Sequence, residues 1–369
     1  MNIRRIVSIS SIAVLVASVF VAPTFAAGNP NCTEVDGDYI VTFSKGAVVA
    51  NEIKNVNGRD VTPKFMYDEA VNGFAGFLTG AQVCNYKKRG NVLSVEADQE
   101  VSIQATQSGA TWGLDRVDQI DLPLSTAYSY FSAGAGVDAY VIDTGILGTH
   151  TEFTRRMKSG YSAIGSSKNT TDCNGHGTHV AGTIGGTLYG VAKAVSLIPV
   201  RVLDCRGSGT NSGVIAGINW AIKNHTTNKA VANLSLGGGI SSTLDTAINN
   251  LIKDGVTVVV AAGNSAANAC NSSPARVPGA VTVAASASND SIASFSNIGS
   301  CVDIIAPGVA ITSAWHTSTS ATNTISGTSM AAPHVAGAIA RGLSGGFSVL
   351  GVSTKSIAGY PLLYVDPAK

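Results

Sequence analysis

Three side chains of this sequence have the chemistry of nucleophilic catalysis, and they occur in the order aspartate, histidine, serine. Asp143 lies in Val-Ile-Asp-Thr-Gly, His176 in Asn-Gly-His-Gly-Thr-His and Ser329 in Gly-Thr-Ser-Met-Ala-Ala-Pro. A serine hydroxyl is a poor nucleophile at neutral pH and needs a base to take its proton. The base in turn needs a buried carboxylate to hold its tautomer and stabilise its cation. The sequence therefore predicts Ser329 as nucleophile, His176 as base and Asp143 as the orienting carboxylate.

The surroundings of Ser329 suit that role. A Gly-Thr-Ser turn leads into a run of small residues, which predicts a helix with the serine at or near its first turn. The free N–H groups and partial positive charge of a helix N-terminus favour a serine that must carry a negative tetrahedral adduct. A plain N-cap is the alternative role for a lone Gly-Thr-Ser, and the matching aspartate and histidine favour the nucleophile.

The chain has six histidines, so the choice of base needs an argument. His176 follows a flexible Asn-Gly pair and opens a predicted helix, which leaves its ring facing a cleft. His179 and His334 lie further into predicted helices and are interpreted as packed structural residues. The spacing of His176 and His179 could indicate metal ligands, but the glutamate of a His-Glu-x-x-His zinc helix is missing.

The elements that must position these residues alternate between strands and helices after Trp112. Apolar strands separated by helices predict an α/β fold: a doubly wound parallel sheet with helices on both faces. Sites in such sheets form at the carboxyl ends of strands, where Asp143 and Asn264 both lie. Strands are predicted at 137–143, 195–203, 230–236, 256–262, 280–285 and 302–306, and helices at 177–184, 212–223, 244–253 and 329–343.

The 369 residues divide into three predicted parts. Residues 1–27 have a basic start, an apolar centre and a small-residue exit, which indicates a cleaved secretory signal peptide rather than a membrane anchor. Residues 28–104, with strands at 38–44 and 91–97, have the size of a small α+β domain, and residues 105–369 form the large domain. A net charge of +1 gives no electrostatic reason to expect nucleic acid or an anionic membrane as partner.

Export would place the six cysteines in an oxidising compartment, where an even count favours disulfides. Six cysteines allow 15 pairings, so their order alone does not fix the connectivity. No Cys-x-x-Cys occurs, which argues against a zinc site built from cysteines.

Together with Ser235-Leu-Gly-Gly238 and Ala261-Ala-Gly-Asn264, the three motifs resemble those of a subtilisin-type serine protease. The resemblance is closest to the proteinase K branch and, within it, to secreted aqualysin-like enzymes. It covers about residues 105–344, and the segment before it resembles the family's inhibitory propeptide. It implies a secreted serine endopeptidase of broad specificity, acting through an acyl-enzyme intermediate. It also implies a zymogen that assists its own folding through the propeptide, which lies across the cleft and is cut by the enzyme near Gln104/Ala105.

The resemblance also implies how substrate is held. The side-chain amide of Asn264 and the N–H of Ser329 would form the oxyanion hole; a simple turn is the alternative role for Asn264. An extended peptide would add as a strand to the segments 207–211 and 235–239. Neither 235–239 nor 261–265 contains a charged residue, so an uncharged pocket for apolar or aromatic side chains is expected. The implied substrate-binding residues are Gly207, Ser208, Gly209, Ser235, Leu236, Gly237 and Gly238.

Calcium is implied by the resemblance alone, as a structural ion, and no catalytic metal or organic cofactor is expected. Its first implied site combines the Asp303 carboxylate with the backbone oxygens of Pro278 and Ala280, all donors that calcium prefers. The resemblance also suggests a second calcium site, and the alternative interpretation of its residues is an ordinary exposed acidic turn. The residues of that second site are Asp115, Asp118 and Gln119.

The contexts of the cysteines resemble the bridges Cys173–Cys205 and Cys270–Cys301 of the aqualysin-like enzymes. Cys32–Cys84 has no support from the resemblance and follows only by elimination. After Leu343 the tail is shorter than is usual in the family, although the run 359–365 resembles its closing strand.

The implied partners are protein or peptide substrates and the chain's own propeptide as inhibitor, without nucleic acid or membrane, and a monomer is expected.

Two rival functions are an esterase or lipase and a secreted binding module on an inactive protease scaffold. Residues 342–346 match the esterase pattern Gly-x-Ser-x-Gly, but that turn needs a strand before it and a helix after it, the reverse of the order here. The binding module would require a missing member of the Asp-His-Ser set or a missing oxyanion amide, and none is missing.

Overall fold

The computed structural model describes residues 33–98, 105–165, 168–227, 229–350 and 354–368. The predicted signal peptide at 1–27 and Cys32 lie outside these ranges. The described residues fall into two compact units on either side of residues 99–104. None of the described helices has both the length and the apolar character needed to cross a membrane.

The first unit is a four-stranded antiparallel sheet with two helices, in the strand order β2-β3-β1-β4. Its core contains Phe43, Phe74 and Tyr86, whose ring centroids lie 5.5 to 6.2 Å apart. Both predicted strands are present as β1 and β4, and the structure adds β2 and β3 between them. The elements are β1 (Gly37–Phe43), α1 (Val49–Glu52), β2 (Pro63–Tyr67), β3 (Gly73–Leu78), α2 (Gly80–Lys87) and β4 (Val92–Ala97).

The second unit is built around a parallel sheet of seven strands in the order β13-β12-β11-β10-β7-β9-β8. The six predicted strands all belong to it, and the predicted parallel α/β fold is confirmed. Its strands are β7 (Asp138–Asp143), β8 (Tyr161–Ser162), β9 (Ser196–Arg201), β10 (Ala230–Leu234), β11 (Thr257–Ala261), β12 (Val281–Ser286) and β13 (Ile304–Pro307).

Helices cover both faces of this sheet. Successive strand residues point to opposite faces, so Val141 packs with one core while Tyr140 and Ile142 pack with the other. The first core includes α4 and α7, and the second includes α5 and α6. The helices of the unit are α3 (Trp112–Val117), α4 (His176–Gly185), α5 (Asn211–Asn224), α6 (Ser242–Lys253) and α7 (Thr328–Gly345), with 3₁₀ turns at Thr151–Phe153 and Ala269–Asn271.

Three small two-stranded sheets complete the unit, and the sequence analysis did not predict them, although the resemblance implied a closing strand in the run at 359–365. They pair β5 (Ala105–Ser108) with β6 (Ala127–Tyr130), β14 (Ile311–Ala314) with β15 (Thr322–Ile325), and β16 (Ser356–Ile357) with β17 (Tyr360–Pro361).

The shortened tail still packs into the core of this unit. Leu363 and Val365 are buried, and their N–H groups donate to the carbonyl oxygens of Ile305 and Val117. The C-terminal run therefore packs beside β13 and closes the unit.

Candidate active site

Asp143 ends β7 and His176 begins α4, and the structure brings their side chains into contact. His176 Nδ1 and Asp143 Oδ1 lie 2.7 Å apart. Asp143 is fully buried, and its Oδ2 atom accepts no hydrogen bond from the described residues. Burial of the His176 ring opposes its protonation, but the charge and hydrogen bond of Asp143 outweigh burial, so the pKa of His176 is raised above 6.5. The pair has the geometry of a base oriented by a buried carboxylate.

The backbone of His176 is anchored by the first turn of α4. Gly175, immediately before the helix, has a φ of 111° in the left-handed region, and a Cβ there would lie 2.5 Å from Trp315 and from His316. Only glycine fits that position. The N–H groups of a helix's first turn have no acceptors within the helix. Here side chains accept from them: Asn174 from His176, Thr144 from Gly177 and Asp172 from Thr178.

Ser329 is the second residue of α7, so its N–H belongs to the first turn, which has no intrahelical acceptors. Its hydroxyl donates to the Ser235 carbonyl oxygen over 3.1 Å, and its own carbonyl accepts from the Ser235 hydroxyl over 2.8 Å. No hydrogen bond joins Ser329 to His176 in the described part of the chain. The structure therefore ties Ser329 to the end of β10 through these two hydrogen bonds.

Asn264 lies three residues beyond the end of β11 and faces the N-terminus of α7. Its Oδ1 atom accepts from Thr328 N at 2.8 Å and from Thr328 Oγ1 at 2.9 Å. Because Oδ1 is held in this way, the amide nitrogen Nδ2 is directed towards Gly327, where a Cβ would lie 3.4 Å from it. The predicted oxyanion donor thus has a fixed orientation beside the first turn that carries Ser329.

Two adjoining cavities run along the carboxyl ends of the strands. The larger, about 500 Å³, is lined by His176, by residues 206–211 and by residues 235–238. The smaller, about 310 Å³, is lined by Ser329, Asn264 and residues 261–265, with no charged side chain. The segment 236–238 lines both cavities. All seven predicted substrate-binding residues therefore border one continuous groove.

Arg206 lines the larger cavity and was not singled out from the sequence. Its guanidinium lies 3.3 Å from the Asp204 carboxylate, and its side chain is 86% exposed. Gly209, on the same loop, has no room for a side chain, because a Cβ would lie 2.4 Å from the Val202 carbonyl oxygen. The close approach of this loop to β9 explains why glycine occurs there.

The structure contains the disulfides Cys173–Cys205 and Cys270–Cys301. The first joins the segment before His176 to the loop that lines the larger cavity. The remaining predicted pair, Cys32–Cys84, includes a residue outside the described ranges.

The two predicted calcium sites differ in their surroundings. Pro278, Ala280 and Asp303 border one cavity of about 290 Å³. Asp303 Oδ2 accepts from Thr282 N, while its Oδ1 accepts no hydrogen bond from the described residues. Asp303 is exposed as a residue, and partial burial of its carboxylate raises its pKa.

In the second predicted site, Asp115 is buried rather than part of an exposed turn, and it accepts from Ser125 and Thr126. Asp118 Oδ1 is buried without a partner among the described residues, and burial raises the pKa of Asp118 to about 6. Gln119 Oε1 accepts from Ser125 N. No group of three or more histidine, cysteine or acidic side chains comes together as a metal site in the ranges described.

The alternative assignments do not fit the structure. His179 and His334 are buried, and burial lowers the pKa of each to about 4, so both are neutral packing residues. The pattern Gly-x-Ser-x-Gly at 342–346 lies at the C-terminal end of α7, where Ser344 donates to the Ala135 carbonyl oxygen. It is not a strand-to-helix turn.

A family model described as the subtilase family matches residues 134–350, which contain Asp143, His176, Asn264 and Ser329. The chain belongs to the subtilase family. By this membership the chain is a serine endopeptidase. The predicted family and enzyme class are thereby confirmed.

Individual subtilases agree with this assignment. The chain is 60% identical to an extracellular serine proteinase of Thermus sp. (strain Rt41A) over 74% of its length and 67% of that protein. It is 50% identical to alkaline serine exoprotease A of Vibrio alginolyticus over 84% of its length, and spans 61% of that relative. A crystal structure of a cold adapted subtilisin-like serine proteinase matches with a TM-score of 0.66 and 50% identity, covering 70% of this chain and 98% of the other.

Proposed function

We propose that this subtilase cleaves proteins through an Asp143–His176–Ser329 triad and an acyl-enzyme intermediate. The observation that carries the proposal is the 2.7 Å contact between His176 and a fully buried Asp143, at the groove where Ser329 sits in the first turn of α7. A buried carboxylate beside a histidine holds the tautomer whose Nε2 accepts a proton.

In the first half of the reaction, the Ser329 hydroxyl turns from the Ser235 carbonyl to His176. As Oγ bonds to the substrate carbonyl carbon, its proton moves to Nε2 and a tetrahedral oxyanion forms. The adduct then collapses: the C–N bond breaks, His176 gives its proton to the leaving amine, and an acyl ester remains on Ser329.

In the second half, water attacks the ester carbonyl and loses a proton to His176. Collapse of this second adduct breaks the bond to Oγ, which recovers the proton, and the new carboxylic acid leaves. Both oxyanions would be stabilised by Asn264 Nδ2 and the Ser329 N–H, because both donors are fixed before the charge develops.

The substrate is an extended protein segment of broad sequence. Backbone groups of 207–211 and 235–239 would pair with it as neighbouring strands do, so much of the affinity is independent of side chains. The smaller cavity has no charged lining residue, which supports apolar or aromatic residues before the scissile bond. Mapping of cleavage sites in a denatured protein tests this, and a dominant preference for lysine or arginine would contradict it.

The protein is secreted and acts outside the cell, as the name of its Thermus relative states for that enzyme. Residues 28–104 would serve as a propeptide that assists folding, inhibits the enzyme and is removed by self-cleavage near Gln104/Ala105. The separate core of the first unit supports a segment that folds as a domain. A Ser329→Ala protein should then keep this segment, and N-terminal sequencing of a pure preparation would detect any removal.

Calcium would act as a structural ion. At the first site, the Asp303 carboxylate and the oxygens of Pro278 and Ala280 border one cavity, and at the second, Asp118 Oδ1 has no partner among the described residues. Oxygen donors of this kind fit calcium, which supplies only charge and cross-linking of loops there.

The decisive test is hydrolysis of casein by the secreted protein and by Ser329→Ala, together with labelling by an organophosphorus reagent. We expect one label per molecule, on Ser329, with loss of activity in proportion to labelling. Proteolysis by a pure Ser329→Ala preparation, or by fully labelled enzyme, would contradict the proposed function.

A further inference from the structure

The side chain of Asp172, four residues before His176, is buried beneath the predicted base and does not line either cavity of the groove. Its residue is 4% exposed, and its carboxylate accepts from five donors. These donors are Thr144 Oγ1, Asn174 N and Gly175 N at 2.9 Å to Oδ1, and Thr178 N at 2.9 Å and Thr178 Oγ1 at 2.6 Å to Oδ2.

These contacts join the two segments that carry the Asp143–His176 pair. Thr144 follows Asp143 directly, and its N–H donates to Asp143 Oδ1 at 2.7 Å. Thr144 Oγ1 donates to Asp172 and accepts from Gly177 N at 2.9 Å. One carboxylate therefore fixes the loop after β7 and the first turn of α4 relative to each other.

The negative charge of Asp172 also acts on His176. Asp172 lies at the N-terminus of α4, where a carboxylate faces the positive end of the helix dipole. Its own pKa is lowered, because the hydrogen bonds from Thr178, Gly175 and Asn174 outweigh the opposing effect of burial. It is therefore an anion at working pH, close enough to favour the protonated form of His176.

We propose that Asp172 is a positioning residue for catalysis: it sets the distance and orientation of the Asp143–His176 pair and adds a second negative charge behind the base. This rests on the proposed function of His176. Asp172 touches neither substrate nor the reacting atoms, so its removal should act on turnover rather than on substrate binding.

The test compares Asp172→Asn with wild type. An amide cannot accept at both ends, so one set of donors at Asp172 loses its acceptor and faces an NH₂ group. Displacement of a catalytic group by about 1 Å costs on the order of 100-fold in rate. We expect kcat per titrated active site to fall by about 100-fold with KM nearly unchanged.

The pH profile separates positioning from simple loss of stability. The acid limb of kcat/KM reports the ionisation of the base in the free enzyme. The charged and titratable groups on the elements around His176 are Asp143, Arg201, Asp172, His179 and His316, and Arg206 lines the same cavity as His176. Asp172→Asn removes one negative charge and leaves the others in place, so the acid limb should move to lower pH.

Two variants serve as controls. Asp138→Asn removes a buried carboxylate at the opposite end of β7, where it pairs with Lys158 at 2.5 Å, and should leave the acid limb in place. Thr178→Val removes one of the five donors to Asp172, and with it the acceptor of the Leu147 N–H, without a change in charge. It should lower kcat with little movement of the limb.

The proposal on Asp172 is overturned if Asp172→Asn changes kcat no more than Asp138→Asn does and leaves the acid limb unmoved. Failure of the proposed function has a different signature, since Ser329→Ala would then retain activity. If Asp172→Asn yields no folded protein, Thr178→Val decides the case, because a kcat equal to wild type in that variant contradicts the positioning role.

Discussion

Asn264 offers the sharpest test of the proposed oxyanion hole. Its Oδ1 atom is held by two donors from Thr328, so Nδ2 is the atom available to a substrate oxyanion. Replacement of Asn264 by alanine removes that donor and leaves the Ser329 N–H in place. Loss of one such donor lowers turnover by about 10²–10³, or about 2.7–4 kcal/mol of transition-state stabilisation.

Asn264→Asp sharpens the comparison. An aspartate has the same shape and can still accept from Thr328, but its second oxygen would meet the oxyanion with negative charge. We therefore expect Asn264→Asp to be at least as impaired as Asn264→Ala, although the native contacts to Thr328 are retained. A purely structural role for Asn264 predicts the reverse order, because the aspartate preserves the turn better.

The assay is steady-state hydrolysis of a chromogenic peptide, with active sites counted by an organophosphorus label. Because the donor binds the transition state and not the ground state, kcat should fall while KM stays close to wild type. The thermal midpoint of each variant controls for folding. A loss of kcat below about tenfold in a folded Asn264→Ala protein, or a loss confined to KM, would refute the reasoning.

Three further results follow from the same structure. As the proposed base, His176 must be neutral to accept a proton, and its pKa is raised, so activity should fall as the pH drops through a value above 6.5. In rate–pH profiles, Asp143→Asn should move this acid limb to lower pH and should also reduce kcat strongly. The Cys173–Cys205 bridge joins residues that are 32 positions apart and so restricts the unfolded chain. Its removal should lower the free energy of unfolding, measured in denaturant titrations, by about 3–4 kcal/mol. A calcium chelator should lower the thermal midpoint of the wild type, and less so of Asp303→Asn; equal shifts in both would exclude that site.

The sequence predicted the elements that follow from periodicity. The predicted helix at 212–223 is α5, Asn211–Asn224, because Thr210 caps its N-terminus and its apolar residues recur on one face. The strand at 137–143 differs from β7 by a single residue. Such elements are predictable because burial on one or both faces determines their residue types.

Other elements and contacts depend on the whole fold. β8 has only Tyr161 and Ser162 and pairs with β9 alone, so no local pattern marks it. Asp172 lies in an ordinary Asp-Cys-Asn-Gly sequence, and only the folded chain shows that its carboxylate reaches Thr144 and Thr178. The hydrogen bond of Ser329 to Ser235, rather than to His176, likewise depends on how β10 meets α7.

Pro333 shows how a locally unfavourable residue can serve this site. A proline within a helix removes the N–H that would donate to the carbonyl four residues earlier, which here is that of Ser329. That carbonyl is satisfied instead by the Ser235 hydroxyl, which also accepts from Asn233 Nδ2 at 2.9 Å. The hydrogen bond from Ser235 therefore takes the place of the missing helical one, and it connects the end of β10 to the turn that carries Ser329. Because Ser235 also borders the larger cavity, the same residue links the position of Ser329, the proposed nucleophile, to the wall of the groove.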